Sequence, residues 1–272
     1  MTTPFDLDAY FARIGFTGPA FADLATLTAI QALHTAAMPF ENLNPLLGIP
    51  VRLDMESLQA KLIGARRGGY CFEQNAVLAA ALGAIGFEVT TLAGRVRWMA
   101  PPERPMGPRS HMTLRVDLAE GPYLVDAGFG GHMIAAPLQL MADLEQRQDA
   151  GTLRLQSIAP ETFMLQTRLP SGWQDMYRFT LEPQYPADYE AANWFTSTHP
   201  DSIFLNGLLM ERLTPQVRMS LYNRRLIERW SDGRTVERIL ASAAELGEVL
   251  ESAFAVTPPA PVAAIWAKLP VG

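Results

Sequence analysis

The stretch Arg66-Arg67-Gly68-Gly69-Tyr70-Cys71-Phe72-Glu73-Gln74-Asn75 contains the only cysteine of a 272-residue chain. With one Cys there is no internal disulfide and no multi-thiolate metal site, so the thiol is either packing or a nucleophile. Two glycines precede it, and an Ala- and Leu-rich run follows to Ala84, with Glu73 in its first turn and Gly83 and Gly86 near its end. That pattern predicts a helix beginning at Cys71. The unpaired N–H groups and dipole of a helix start favour negative charge on a sulfur placed there.

Upstream of this stretch the chain reads helical. Leu7, Tyr10, Phe11 and Ile14 recur at helical spacing over 6–14, and further helices are expected over 26–37 and 56–63. Downstream the pattern changes to strands over 87–98, 111–118, 123–126, 153–156, 162–169 and 173–181. A loop with prolines at 101, 102, 105 and 108 forms a lip between the first two strands. A connecting helix over 186–195 follows. Strands 217–222 and 226–230 then flank a turn near Asn223, and a mostly helical segment is expected over 235–254.

Composition narrows the function. Hydrophobic residues at 49% supply real cores, and a net charge of −6 without a Lys/Arg block argues against nucleic acid or an anionic membrane as partner. The N-terminus lacks the basic and apolar regions of a secretory signal, and apolar runs are broken before they could span a bilayer. A lone Cys without a signal points to the cytoplasm.

The four histidines are His34, His111, His132 and His199. His34 lies in a helical run and reads as packing, and His199 precedes Pro200 in a loop. His111 opens a strand whose apolar face is Met112, Leu114 and Val116, so it points to the opposite face. Asp126 ends the next strand, just before Ala127-Gly128-Phe129-Gly130-Gly131. In an antiparallel hairpin with its turn centred between Leu118 and Ala119, His111 and Asp126 would be directly opposed, with Cβ atoms roughly 5 Å apart. Gly121-Pro122 favours a later turn, and that register would separate the pair. A helix-borne Cys, a His and an Asp would form a triad: the Asp orients the imidazole, the His takes the thiol proton, and the sulfur attacks an acyl carbon. Backbone N–H groups at the helix start, including that of Cys71, would serve the oxyanion.

The Cys71 stretch, together with P-F-E-N-L (39–43), H-M-T-L-R-V (111–116), V-D-A-G-F-G (125–130) and S-T-H-P-D-S-I-F (197–204), resembles the arylamine N-acetyltransferases, in length their bacterial branch. The resemblance implies a Cys71–His111–Asp126 triad and ping-pong transfer of acetyl from acetyl-CoA to an arylamine or hydrazine nitrogen, without a metal. It also implies an α+β fold with a core similar to cysteine proteases and transglutaminases. Residues 1–86 would form a helical domain carrying the Cys, 87–185 a β-barrel carrying His and Asp, 186–200 a helical linker, and 201–272 an α/β lid. By motif position Phe40 and Phe129 would stack on the aryl acceptor, though each also reads as core. Gly128, Gly130 and Gly131 would hold coenzyme A through backbone amides, with Ser110 and Trp98 as further coenzyme or cleft residues and Arg218 as a contact for its phosphates. Glu41 and Arg67 would form an ion pair holding the Cys loop. The same triad would also serve a thiol hydrolase or an amide-forming acyltransferase with another acyl donor. A non-catalytic binding protein on this scaffold would be expected to lack Cys, His or Asp.

Overall fold

Asp6 caps the first helix, Leu7–Ile14, by accepting a hydrogen bond from the Ala9 amide, and Asp23 caps Leu24–Ala37 through Thr26. These elements belong to a computed structural model that describes residues 3–101, 103–149 and 151–270. Pro102 of the four-proline lip lies outside the described residues. The helix expected over 56–63 is α-helical only at Met55–Leu58 and passes into a π-turn, Gln59–Gly64. There the Leu62 carbonyl accepts from the buried Arg13 side chain. The central helix, Cys71–Ile85, ends where Gly86 takes a left-handed φ of 109°, a conformation that suits glycine.

The strands are β1 (Phe40–Glu41), β2 (Glu88–Val96), β3 (His111–Leu118), β4 (Gly121–Val125), β5 (Leu138–Gln139), β6 (Gln146–Gln148), β7 (Gly151–Ala159), β8 (Thr162–Leu169), β9 (Gly172–Thr180), β10 (Leu209–Leu213), β11 (Val217–Tyr222), β12 (Arg225–Trp230) and β13 (Thr235–Ile239). Eight of them form one antiparallel sheet in the order β5-β4-β3-β2-β9-β8-β7-β6. The sheet curls toward closure, and side chains join its two ends. Gln148 Oε1 accepts from the Ala135 and Ala136 amides, while the Gln146 amide group bridges N–H and C=O of Gln139. These glutamines satisfy edge groups that a flat sheet would expose.

Alternation along β3 assigns its two faces. Met112, Leu114 and Val116 pack with Val77, Leu78 and Ala81 of the central helix in the first core. The other face looks into the barrel, whose core includes Leu92, Phe129, Leu155, Leu165 and Tyr177. A third core lies between the five-stranded sheet β1-β10-β11-β12-β13 and the helix Ala243–Ser252. The architecture is therefore α+β: a helical bundle, a barrel-like sheet and a third part of sheet and helix. Residues 235–239, expected to be helical, form strand β13 instead; every residue of this strand is exposed, so no buried face marked it in the sequence. Among the described residues no helix is long and apolar enough to cross a membrane.

Candidate active site

The Cys71 loop is built from three directions. Phe40 bridges Gly69 in parallel, the Glu41 amide donates to the Gly69 carbonyl, and Gln74 Nε2 donates to the Pro39 carbonyl at 2.7 Å. Glu41 and Arg67 meet as a buried ion pair, with Arg67 Nε 2.9 Å from Glu41 Oε1, and Arg67 also reaches Asn44 Oδ1. Glu73 accepts from the Tyr70 amide at the helix start and pairs with Lys61 at 2.6 Å. The Tyr70 hydroxyl donates to Asn193 Oδ1 on the connecting helix Pro186–Thr198. Cys71 therefore starts a helix whose entry is fixed before any substrate arrives.

His111 Nε2 donates to Asp126 Oδ2 at 2.6 Å, although the hairpin does not place the two residues directly opposite each other. Leu118 pairs with Gly121, so the turn is Ala119-Glu120, the later register favoured by Gly121-Pro122. Continuing that register sets Asp126 across from Thr113, two residues along from His111 on the same face. The pair meets on the diagonal, within reach of an imidazole and a carboxylate. The later turn does not separate them as the direct-opposition geometry had suggested.

Asp126 is fully buried and accepts four hydrogen bonds. Oδ2 takes His111 and the Tyr177 hydroxyl (2.8 Å); Oδ1 takes Asn75 Nδ2 (3.0 Å) and the Gly128 amide (2.8 Å). Burial alone would raise its pKa, but the facing His111 charge and these donors hold the carboxyl below the ordinary carboxylate value. Burial likewise works against a charged His111. The Asp126 carboxylate outweighs it, helped by contact with Cys71, and pushes the imidazole up to about 10. With Nε2 committed to Asp126, Nδ1 is the nitrogen left for the sulfur. Residue Cys71 is 3% exposed, and its sulfur lies 3.6 Å from the carbonyl oxygen of the half-buried Ser110.

Two of these contacts come from residues that the sequence reading passed over. Asn75 lies one helical turn after Cys71, so the i, i+4 spacing was a usable signal. Its amide also accepts from Ala127 N and donates to the Met112 carbonyl, tying helix, β3 and loop together. Tyr177 carries no local signal, because it arrives from β9 across β2. Gly94 on β2 leaves room for it: a Cβ at Gly94 would lie 3.0 Å from the Tyr177 ring, which sits 4.5 Å (centroid to centroid) from the His111 ring.

The glycine loop packs against the start of the Cys71 helix, Phe40 and Trp98. A Cβ on Gly128 would come within 2.7 Å of Cys71 Cα, one on Gly130 within 2.3 Å of the Phe40 ring, and one on Gly131 within 2.5 Å of Trp98. Each glycine is thus required by close approach. Phe129 packs edge-on against both His111 (5.2 Å) and Trp98 (6.3 Å). Phe40 faces Phe204, which also contacts Tyr70. Phe40, Trp98, Ser110 and residues 128–131 therefore gather around the triad. Arg218 does not join them as an outward cation; it is buried against Glu211 and the Met133 carbonyl. His34 packs between Tyr10 and Gln74, and His132 bonds to Thr167 beneath Trp98. Among the described residues no group of three or more His, Cys, Asp or Glu is placed to hold a metal ion.

A family model described as N-acetyltransferase matches residues 23–260. The arylamine N-acetyltransferase of Mycolicibacterium smegmatis is 41% identical over 254 residues, covering 92% of each chain. That of Escherichia coli K12 is 40% identical, covering 91% of this chain and 88% of the relative. The solved M. smegmatis arylamine N-acetyltransferase superposes with a TM-score of 0.92 at 39% identity, over 97% of this chain and 98% of that one. The Mycobacterium marinum arylamine N-acetyltransferase in complex with CoA gives 0.92 at 35% identity, over 97% and 98%.

Proposed function

The chain belongs to the arylamine N-acetyltransferase family, and from that membership we propose that it moves an acetyl group from acetyl-CoA to an arylamine or hydrazine nitrogen by way of an acetyl-Cys71 intermediate. It is an acyltransferase. The observation that carries the mechanism is the 2.6 Å His111–Asp126 contact beside the start of the Cys71 helix.

In the first half-reaction the proton given up by Cys71 resides on His111, whose raised pKa keeps it there, and the sulfur attacks the thioester carbonyl carbon. The new C–S bond forms, the bond from carbon to the coenzyme sulfur breaks, and the coenzyme leaves as a thiol with the proton from His111. The Cys71 amide, at the first position of a helix where N–H groups lack intrahelical partners, is the donor for the oxyanion. Exchange of one thioester for another is near balance, so no large driving force is needed here. In the second half-reaction the amine nitrogen attacks acetyl-Cys71. A C–N bond forms, the C–S bond breaks, and the surplus amine proton passes through His111 to the sulfur. The amide product makes this step favourable.

Water is the competing acceptor. Phe40, Phe129 and Trp98 supply the apolar wall that disfavours it and stacks an aryl ring. Gly128, Gly130 and Gly131, with Ser110, form the backbone surface proposed for coenzyme A, since the glycines bring main chain against Cys71 Cα, Phe40 and Trp98 and the Ser110 carbonyl meets the Cys71 sulfur. Residues 1–86 then provide the nucleophile, 87–185 the base and its carboxylate, and 201–272, joined by the linker 186–200, the cover of the cleft. Mixing the enzyme with acetyl-CoA and a small arylamine tests the reading. Steady release of free CoA should depend on the amine, and release indifferent to amine would contradict it.

A further inference from the structure

Met133 is gripped at both ends of its peptide by charges from the third part of the molecule. Its amide donates to Glu211 Oε1 at 2.8 Å, and its carbonyl accepts from Arg218 Nη2 at 3.0 Å. Glu211 and Arg218 are themselves 3.3 Å apart, and both are buried. They stand on β10 and β11, far in sequence from the triad. An apolar pair of the same volume would avoid the cost of burying two charges but would leave the N–H and C=O of the buried Met133 without partners, so the charges are committed to this one stretch of loop.

The gripped peptide lies in the loop 126–134. Gln31 Nε2 holds the ends of that loop by donating to the Asp126 carbonyl (3.4 Å) and the Ile134 carbonyl (3.1 Å). Between those ends lie Gly128 on Cys71, Phe129 on His111, and Gly130 on Phe40. Glu211 also pairs through its backbone with Phe40 in the β1–β10 ladder. One residue thus fixes both aromatic walls, Phe40 by main chain and the Phe129 loop by side chain.

We propose that the Glu211–Arg218 pair is a positioning device for the acceptor cleft, setting the separation of Phe40 and the Phe129 loop through its hold on Met133. The proposal rests on the acetyl-transfer reading above and deepens it. His111, Tyr177 and Asn75 hold Asp126 from outside the loop whether or not Met133 is held, so releasing the grip leaves the chemical step of the first half-reaction intact at saturating acetyl-CoA. What changes is the fit of the aryl acceptor in the second.

Because removing one charge strands the other, the test uses paired substitutions. Glu211→Leu with Arg218→Met removes both charges at similar volume. Glu211→Gln with Arg218→Gln removes them but keeps an acceptor for the Met133 amide and a donor for its carbonyl. Three readouts are taken on the full chain: hydrogen exchange of the peptide spanning 127–135, the single-turnover rate of CoA release at saturating acetyl-CoA without amine, and KM for a series of arylamines of increasing size. For the Leu/Met pair the expected results are faster exchange in that peptide, CoA release within about threefold of wild type, and arylamine KM raised roughly tenfold or more with size selectivity flattened. The Gln/Gln pair should restore slow exchange and most of the selectivity. Wild-type KM and selectivity in the Leu/Met pair would overturn the proposal, as would equal losses in both half-reactions. Failure of the wild type itself to show amine-dependent CoA release would instead refute the acetyl-transfer reading, and the exchange measurement would stand apart from it.

Discussion

The two sides of the proposed acceptor cleft are held by different physics. The His111–Asp126 corner is fixed by hydrogen bonds: Asp126 has a donor on each of its four lone-pair directions, from four separate segments of chain. The facing wall of Phe40, Phe129 and Trp98 is fixed by contact, with glycines at 128, 130 and 131 where any side chain would collide. Directional bonds set where protons go, and packing sets what fits beside them. Changes on the polar side should therefore damage chemistry, and changes on the packed side should alter acceptor choice.

Among changes to the two sides compared above, Asp126→Asn should have the largest effect, lowering kcat/KM roughly ten-thousand-fold by leaving His111 without its partner charge. Single-turnover CoA release should fall in parallel, whereas a loss confined to the amine step would break the contrast. Tyr177→Phe removes one neutral donor to the same carboxylate and should lower both half-reactions by about tenfold. Gly130→Ala drives a methyl into the Phe40 ring; it should raise KM for acetyl-CoA as well as for arylamine, the latter by a factor on the order of ten, while single-turnover CoA release at saturating acetyl-CoA stays near wild type. Equal damage to both half-reactions would show that the packed wall also positions the triad.

The smallest effect expected is on stability. Asp126 holds the imidazole at about 10 against its ordinary 6.5. That contribution is fully present below pH 6.5 and is lost as pH rises toward 10. The Tm advantage of the wild type over His111→Gln should shrink by a few degrees across this window. An advantage that stayed constant or grew would mean that the imidazole gains no proton affinity on folding.

Legibility in the sequence followed the same divide. The Cys71 helix could be read from an Ala- and Leu-rich run bounded by glycines, and β3 from its alternation of His, Thr, Arg and Asp with Met, Leu, Val and Leu, even though both of its faces are buried at the start. The motif order brought Cys71, His111 and Asp126 together even though the hairpin register implied by direct opposition was two residues off. Sheet closure was hidden: Gln146 and Gln148 close it through side-chain bonds to backbone groups of the neighbouring segment 135–139, and Tyr177 reaches Asp126 from 51 residues away, so no hydrophobic pattern announces them. β13 was unreadable for the opposite reason, since an exposed edge strand with Glu237 paired to Arg225 lacks the buried stripe that separates strand from helix. Arg218 shows the limit of charge as a clue. Its place in the expected lid suggested a phosphate contact, and only the third dimension turned it toward Glu211 and Met133.

The account stands or falls on Cys71 as an acyl carrier. The direct measurement is the intact mass of the enzyme mixed with acetyl-CoA in the absence of amine, followed by peptide mapping. One acetyl group should appear on the peptide containing Cys71, disappear on addition of an arylamine with formation of the amide, and be absent in a folded Cys71→Ala variant. Acetyl found on another residue, or turnover retained by Cys71→Ala, would contradict the account.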